Sequence, residues 1–415
     1  MKPRLLVVSP RFLFPLDQGG RIRTANTLRN MKGGAFHITL VSPAPLGASR
    51  WDADIATICD AFHAWPEPKV SQLGRVAGLL GKLPMSVATD VSAAGRRVVA
   101  DALAQKPDAV LVDFPHAAVL MPAKLPPSII FTHNVEAEIF ERQVELTRPP
   151  MRWVWQHEAG KMRRFERDVL RSFGTVIAVS QRDAQALQSQ YGIPQAHPVQ
   201  TGVDVDYYGW IPADTVAPPP PDGGVLVFTG AMDSRSNIEG IQFLLNEVWP
   251  QIIAVRPKAR ALIVGRNPPA NLQAQAASKG YDWIFSGYVD DVRPWVAKAH
   301  AYGIPLRVGS GTRLKVFEAM AMGAPMVSTG LGVEGLPVQD GEHYLRADDA
   351  PSFAQAVLSL FADASRRQAL SSAARTLVEA HFSWPAVTRA FEDICLRAMG
   401  PGQAISKSQV RRAGS

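Results

Sequence analysis

Cysteine is almost missing from this chain of 415 residues, which carries only Cys59 and Cys395. Two thiols so far apart give neither a disulfide framework nor a zinc-binding spacing, and they suit a reducing compartment. No apolar run approaches the roughly 20 residues that a membrane-spanning helix needs. The apolar run at 5–8 follows two early cations but is too brief for a signal peptide, and it reads as a strand. No G-x-x-x-x-G-K-[ST] loop is present, and Asp17-Gln18-Gly19-Gly20 stands after the first strand where a dinucleotide fold would place G-x-G-x-x-G. Kinase and dehydrogenase readings therefore lose most of their support. Basic residues exceed acidic ones by 44 to 37, which suits anionic ligands or surfaces. No zinc-finger spacing or aromatic RNA-binding signature accompanies that excess, so no nucleic acid is expected as a partner. No repeat of fixed period occurs.

The length is too great for one ordinary core and implies two domains of about 200 residues each. Short apolar runs alternate with longer mixed segments, the pattern of parallel sheets covered by helices. In the first half the expected strands are 5–8, 38–41, 110–112, 129–132 and 176–179, with helices such as 21–30 and 93–105 between them. The segment TVAPPPPDGG at 215–224 can continue neither helix nor strand and reads as the interdomain linker. A second set of strands is expected at 225–228, 261–264, 283–285, 301–305 and 326–328, with one long helix at 238–255. Three helices are expected to close the chain at 350–361, 364–381 and 384–399, followed by a polar, basic and disordered tail from 400.

The run VGSGTRLKVFEAMAMGAPMV at 308–327 carries the clearest chemistry. Gly309 and Gly311 permit a tight turn whose amide hydrogens point at an anion, with Ser310 and Thr312 between and beside them. Arg313 and Lys315 add charge, and good helix formers at 314–322 would aim a positive helix end at the same place. Glu318 lies about one turn beyond Lys315, where a carboxylate can accept hydrogen bonds from sugar hydroxyls. The alternative is a surface turn with two solvated cations.

This segment resembles the donor-binding region of the retaining glycosyltransferases of family 4, which have the GT-B fold. The resemblance covers residues 4–390 and includes, in order, Gly19-Gly20, His133-Asn134 after a strand, Val179-Ser180, PVQTGVD at 198–204, FTGAMDSRSN at 228–237, Gly287-Tyr288-Val289 and FEAM at 317–320. Within the family it is most similar to sugar transferases of bacterial exopolysaccharide gene clusters, where a GGxxR start and an SGTRLK turn occur together. The resemblance implies an α/β protein with two Rossmann-like parallel-sheet domains facing a central cleft. It divides the chain into an acceptor-side domain at 1–214, the linker at 215–224 and a donor-binding domain at 225–383, with the last helix crossing back to complete the first domain.

The implied activity is transfer of a sugar from a nucleotide-diphosphate donor to an acceptor hydroxyl, with retained anomeric configuration, in exopolysaccharide or other cell-surface glycan synthesis. The catalytic residues implied are His133, facing the transferred sugar, with Lys315 and Arg235 neutralising the leaving diphosphate. Tyr288 and Val289 would border the base, Glu318 the ribose, and the amides of Gly309, Ser310, Gly311 and Thr312, together with Arg313, the phosphates. Gly19 and Gly20 would approach the diphosphate from the first domain, with Arg21 or Arg23 adding charge. Taken without the resemblance, Gly19 and Gly20 read equally well as a plain turn, and His133 as a residue capping its strand. Asp113 and His116 also follow a strand.

Two positions depart from the family pattern. An arginine and a lysine often found in the first donor loop are here Ala231 and Asn237, so Arg235 is expected to replace the missing charge. The first of two glutamates found in many members is here Ser310, which we read as variation within the SGTRLK subgroup. No metal or other cofactor is expected, because the cations do this work; Asp290-Asp291 precedes a helix and reads as its cap. Other readings of the same pattern are a nucleotide-sugar epimerase of GT-B fold and a non-catalytic nucleotide-sugar-binding subunit.

The segment 151–171 reads as an amphipathic helix with Met151, Trp155, Met162, Phe165 and Val169 on one face and four arginines opposite. Such a helix either lies on anionic lipid or packs its apolar face on its own domain. The segment 70–85 is a second candidate for membrane contact. A glycan or lipid-linked acceptor is expected, with the protein cytoplasmic and in peripheral contact with the inner face of the plasma membrane.

Overall fold

The computed structural model describes residues 2–17, 19–67, 79, 81–209, 219–308 and 314–400. Its central strands are short and largely apolar, as in β4 (Ala109–Asp113), where all five residues are buried. Continuous burial is what a parallel strand covered on both faces requires. Successive side chains therefore enter different cores. Leu5 and Val7 of β1 (Arg4–Val8) pack in one cluster, and Leu6 and Val8 in the other.

The chain forms two compact units, one of residues up to Gln200 with those from Val387 onward, the other Thr201–Ala386. In the first, β2 (His37–Ala44), β3 (Ala61–Pro66), β5 (Ser128–Thr132), β6 (Thr175–Ala178) and β7 (Ala196–Pro198) join β1 and β4 in a parallel sheet of order β3-β2-β1-β4-β5-β6-β7. Its described helices of eight or more residues are α1 (Gly19–Met31), α2 (Ala93–Ala104), α3 (Glu136–Leu146), α4 (Met151–Ser172) and α5 (Gln181–Tyr191). In the second unit β8 (Gly223–Thr229), β9 (Lys258–Val264), β10 (Trp283–Gly287), β11 (Ala301–Ile304), β12 (Met326–Ser328) and β13 (Leu345–Arg346) form a parallel sheet of order β10-β9-β8-β11-β12-β13. The helices there are α6 (Arg235–Phe243), α7 (Ala270–Ser278), α8 (Leu314–Met322), α9 (Ala350–Ala362) and α10 (Ala364–His381), followed by α11 (Trp384–Ala398). In each sheet the strand order reverses once, between β1 and β4 and between β8 and β11. Ligands of open α/β sheets bind at the strand C-termini beside such reversals.

The chain passes from one unit to the other at Gln200–Thr201, ahead of the boundary at 214 expected from the proline run. The reason is hydrogen bonding: Val203 N donates to Phe382 O at 2.8 Å and Trp384 N to Val203 O at 3.2 Å, tying this stretch to the end of α10. Of the expected linker, Gly223 and Gly224 already belong to β8, while 215–218 and the tail at 401–415 lie outside the described residues. From Val387 onward α11 packs in the first unit, where Phe391 meets Phe131 edge-on at 5.1 Å. The single helix expected at 238–255 is interrupted. A π-helical turn, Leu244–Val248, separates α6 from the short helix Trp249–Val255, because Pro250 has no amide hydrogen to continue the ladder.

Candidate functional site

Five side chains of the first unit converge beside the β1/β4 reversal. Asp113 ends β4 and accepts three hydrogen bonds, from Ser9 Oγ at 2.9 Å, Thr24 Oγ1 at 2.9 Å and His133 Nε2 at 2.8 Å. His133 follows β5, and its Nδ1 lies 3.1 Å from Arg23 Nη1 on α1. A guanidinium can only donate, so Nδ1 accepts and the ring proton sits on Nε2, facing Asp113. Arg23 is buried, and burial pushes its guanidinium down to about 10 against the opposing charges of Asp183 and Asp113. Both nitrogens of His133 are thus engaged within the protein. Gly19 and Gly20 form the first turn of α1, and Arg21 turns outward to Asp17 at 3.1 Å, leaving Arg23 as the inward cation.

Phe114, between Asp113 and Pro115, has φ 78° and ψ 137°. A non-glycine residue held there costs about 1–3 kcal/mol, and such strain persists only where the surroundings over-determine it. Here its ring is packed 4.6 Å from that of His116 and 5.8 Å from that of His133. His116 forms a second buried pair, Nδ1 to Asp90 Oδ2 at 3.0 Å, and Arg11 also bonds Asp90. Glu136 opens α3 with its carboxyl 4.0 Å from His116 Nε2, and burial holds it above the usual carboxylate range. Beneath it Glu166 caps α3, accepting from Glu136 N at 2.8 Å, Ala137 N at 3.2 Å and Tyr191 Oη at 2.7 Å. Burial outweighs these three donors and pushes Glu166 up to about 7.

In the second unit the corresponding place is the end of β8. Asn237 on α6 donates Nδ2 to Ala231 O at 2.8 Å, which orients its amide so that Oδ1 accepts from Lys315 Nζ at 2.8 Å. Lys315 Nζ also lies 4.6 Å over the Phe228 ring. Gly230 under this ammonium leaves no room for a side chain: a Cβ there would lie 2.8 Å from Asn237 Nδ2 and 3.0 Å from Lys315 Nζ. Gly265 is tighter still, its Cβ position only 2.0 Å from Gly230 O. The amide at 237 therefore clamps Lys315 where a second lysine would repel it.

Glu318 lies on the same helix, α8, as Lys315. Its carboxyl is raised by burial, against a hydrogen bond from Tyr208 and the charge of Lys315. Tyr208 comes from the short helix Val205–Tyr208, and its phenol is raised by burial and by Glu318. Arg235 does not join this cluster. Its side chain is 79% exposed and its Nε donates to Glu239 Oε1 at 2.6 Å, one turn along α6. Tyr288 follows Gly287 and is largely exposed, while Val289 packs against the second unit's core. The expected residues Gly309, Ser310, Gly311, Thr312 and Arg313 lie outside the described residues. Asp291 accepts from Arg293 N at 2.9 Å just ahead of the short helix Arg293–Val296, whose cap position is Val292. Among the described residues no three of His, Cys, Asp or Glu converge as metal ligands, and no helix is long and apolar enough to cross a membrane.

Residues 223–363 match the family model for group 1 glycosyl transferases, and residues 48–207 match that for Glycosyltransferase Family 4. A phosphatidyl-myo-inositol mannosyltransferase of Mycobacterium leprae is 28% identical over 193 residues, 46% of this chain and 50% of its own length. A GDP-mannose-dependent monoacylated alpha-(1-6)-phosphatidylinositol monomannoside mannosyltransferase of Corynebacterium glutamicum is 28% identical over 264 residues, 55% of this chain and 65% of its own. The chain thus spans half to under two thirds of the length of these relatives. A glycosyltransferase from Rickettsia africae superposes with TM-score 0.65 at 13% identity, covering 96% of this chain and 99% of the other. HepE of Anabaena, solved with UDP and glucose, superposes with TM-score 0.60 at 15% identity, covering 94% and 98%. The fold is GT-B.

Proposed function

The chain belongs to family 4 of the glycosyltransferases, and from that premise we propose that it moves a sugar from a nucleotide-diphosphate donor to an acceptor hydroxyl with retention of anomeric configuration. The observation that carries the reading is the clamped ammonium of Lys315, held by Asn237 at 2.8 Å over Gly230, where a Cβ would crowd both groups. A cation fixed before the substrate arrives stabilises the charge of a leaving diphosphate without reorganising during reaction. Glu318, oriented by Tyr208, would accept from the ribose hydroxyls. The base would lie against Tyr288 and Val289.

In the step proposed, the bond from the sugar's anomeric carbon to the diphosphate oxygen breaks, and its electron pair goes to that oxygen. The acceptor oxygen bonds the anomeric carbon on the same face, and its proton passes to the departing phosphate. The protein positions the reactants and neutralises charge, with Lys315 and the start of α8 in place of a metal. His133 would receive a sugar hydroxyl at Nδ1, displacing Arg23, while Asp113 holds the ring.

The mannosyltransferase relatives act on phosphatidylinositol lipids by their names, which supports a lipid-linked or glycan acceptor in a cell-surface pathway. Exposed Met151 and Trp153 at the start of α4 support peripheral contact with an anionic membrane at its cytoplasmic face. Incubation with labelled UDP-, GDP- and ADP-sugars and a membrane lipid extract tests the proposal. The expected product is a labelled glycolipid or glycan whose anomeric configuration matches the donor. Free or isomerised sugar without labelled product would refute transfer.

A further inference from the structure

At the N-terminal end of the first sheet's strands, the end away from His133, where β6 and β7 begin, lies a cavity of about 800 Å³ that the proposed reaction does not use. The end of α4, the connection from α5 to β7 and the last turn of α11 form its walls. Arg171, Arg397 and His197 line it, and no carboxylate does. Arg171 is anchored through Nε to Tyr191 O at 2.7 Å. Its Nη2 would lie 3.0 Å from a Cβ at residue 192, where glycine at φ 63° lets the guanidinium rest on the loop. Among the described residues neither arginine forms an ion pair. The imidazole of His197 is held below its ordinary value, first by burial and then by the charge of Arg397.

Two guanidiniums and an imidazole around a space without counter-charge match the oxygens of a doubly charged anion, which a guanidinium fork can bind bidentately. The volume lies in the range of small-molecule sites and exceeds what a bare ion needs, and Phe173 and Ile394 offer apolar wall for an organic remainder. We propose that this cavity binds a phosphate monoester, its phosphate held by Arg171, Arg397 and His197, so that the ligand ties α11 to α4 and β7. The site is separate from the donor loop of the second unit and does not depend on the sugar-transfer reading.

The test is the nuclear magnetic resonance titration of His197 in the full-length protein, with inorganic phosphate and with glucose 6-phosphate as probes. Saturable movement of the His197 resonances with a rise in its pKa is expected, and tighter binding of glucose 6-phosphate than of phosphate would show that the apolar wall is used. Arg397→Ala and Arg171→Ala should each weaken binding by about tenfold or more, as expected for loss of a charge-assisted contact. Arg397→Lys, which keeps the charge without the fork, should fall between. Lys315→Ala should leave the His197 response unchanged, which separates this site from any phosphate bound at the donor loop. Failure of both probes to move His197, or an equal response in Arg397→Ala, would overturn the proposal.

Discussion

Replacing Asp113 by asparagine removes one charge from the centre of the first-unit cluster while keeping its shape. The carboxylate receives three donors, two on Oδ1 and one on Oδ2. An asparagine can keep its oxygen toward Thr24 and His133 and turn its amide nitrogen to Ser9, whose hydroxyl then donates to Arg11 O, already 3.1 Å away. The opposite orientation would put an N–H against His133 Nε2, move the ring proton to Nδ1 and set it against the donor Arg23. Geometry is thus preserved, and the loss is electrostatic. Two charge-assisted bonds become neutral ones at about 1 kcal/mol each, and buried Arg23 loses one of two compensating carboxylates. The expected destabilisation of the first unit is about 2–3 kcal/mol. Asp113→Ala, which takes the acceptor from Thr24 and His133 and leaves Ser9 only Arg11 O, should cost about 3–5 kcal/mol. Hydrogen exchange of β4 and β5 measures the first unit by itself, avoiding a two-state fit to a two-unit protein. Equal effects of the two substitutions, or less than about 0.5 kcal/mol for asparagine, would refute the network as described.

The pKa of Glu166 rises from 4.5 to about 7 on folding, so folded Glu166 holds its proton more tightly than unfolded. Its contribution is therefore fully present below pH 4.5 and is lost as pH rises through about 7, by roughly 3 kcal/mol. Exchange of α3 and α4, corrected for intrinsic rates, should show this slope in the wild type and not in Glu166→Gln; parallel curves would contradict it. Tyr208→Phe removes a hydrogen bond that lowers the Glu318 pKa, so donor affinity should fall about tenfold, and by more at acid than at alkaline pH, as calorimetry would show. Unchanged affinity would remove Glu318 from the ribose contact. Arg235→Ala breaks only an exposed pair and should change stability by less than about 0.5 kcal/mol and donor affinity not at all. A tenfold loss of affinity would restore its phosphate role.

Most strands that were readable in the sequence are those buried on both faces, such as β1 and β4, because they form unbroken apolar runs; the edge strand β10 was readable from its aromatic and β-branched residues although it is only partly buried. The edge strand β3, AFHAWP, is mostly half-buried or exposed and includes a histidine and a proline, so it carries no such signal. The strands β7 and β13 have three and two residues, too few for any pattern. His133, Lys315 and Glu318 were visible because each stands at a strand end or in the first turns of a helix beside charged neighbours. Tyr208 and Asn237 were not assigned their present roles, since their partners Glu318 and Lys315 are distant in sequence and meet only through sheet topology. Arg235 was grouped with Lys315 on charge, which does not reveal direction: it begins a helix with Glu239 one turn on, and the two pair. Asp113 gave a partial signal, ending a strand without an evident role, until folding brought Ser9, Thr24 and His133 to it.

The central claim is that Lys315 holds the donor diphosphate, and thermal unfolding with UDP-, GDP- and ADP-sugars tests it most directly. A donor present at about 100 times its dissociation constant stabilises the folded state by about 2.7 kcal/mol, a rise of roughly 5–10 °C in the midpoint for a unit of this size. The account predicts such a rise for one nucleotide class, shrinking to roughly a third or less in Lys315→Ala as a charge-assisted contact is lost. No rise with any donor in folded wild-type protein, or the same rise in Lys315→Ala, would contradict it.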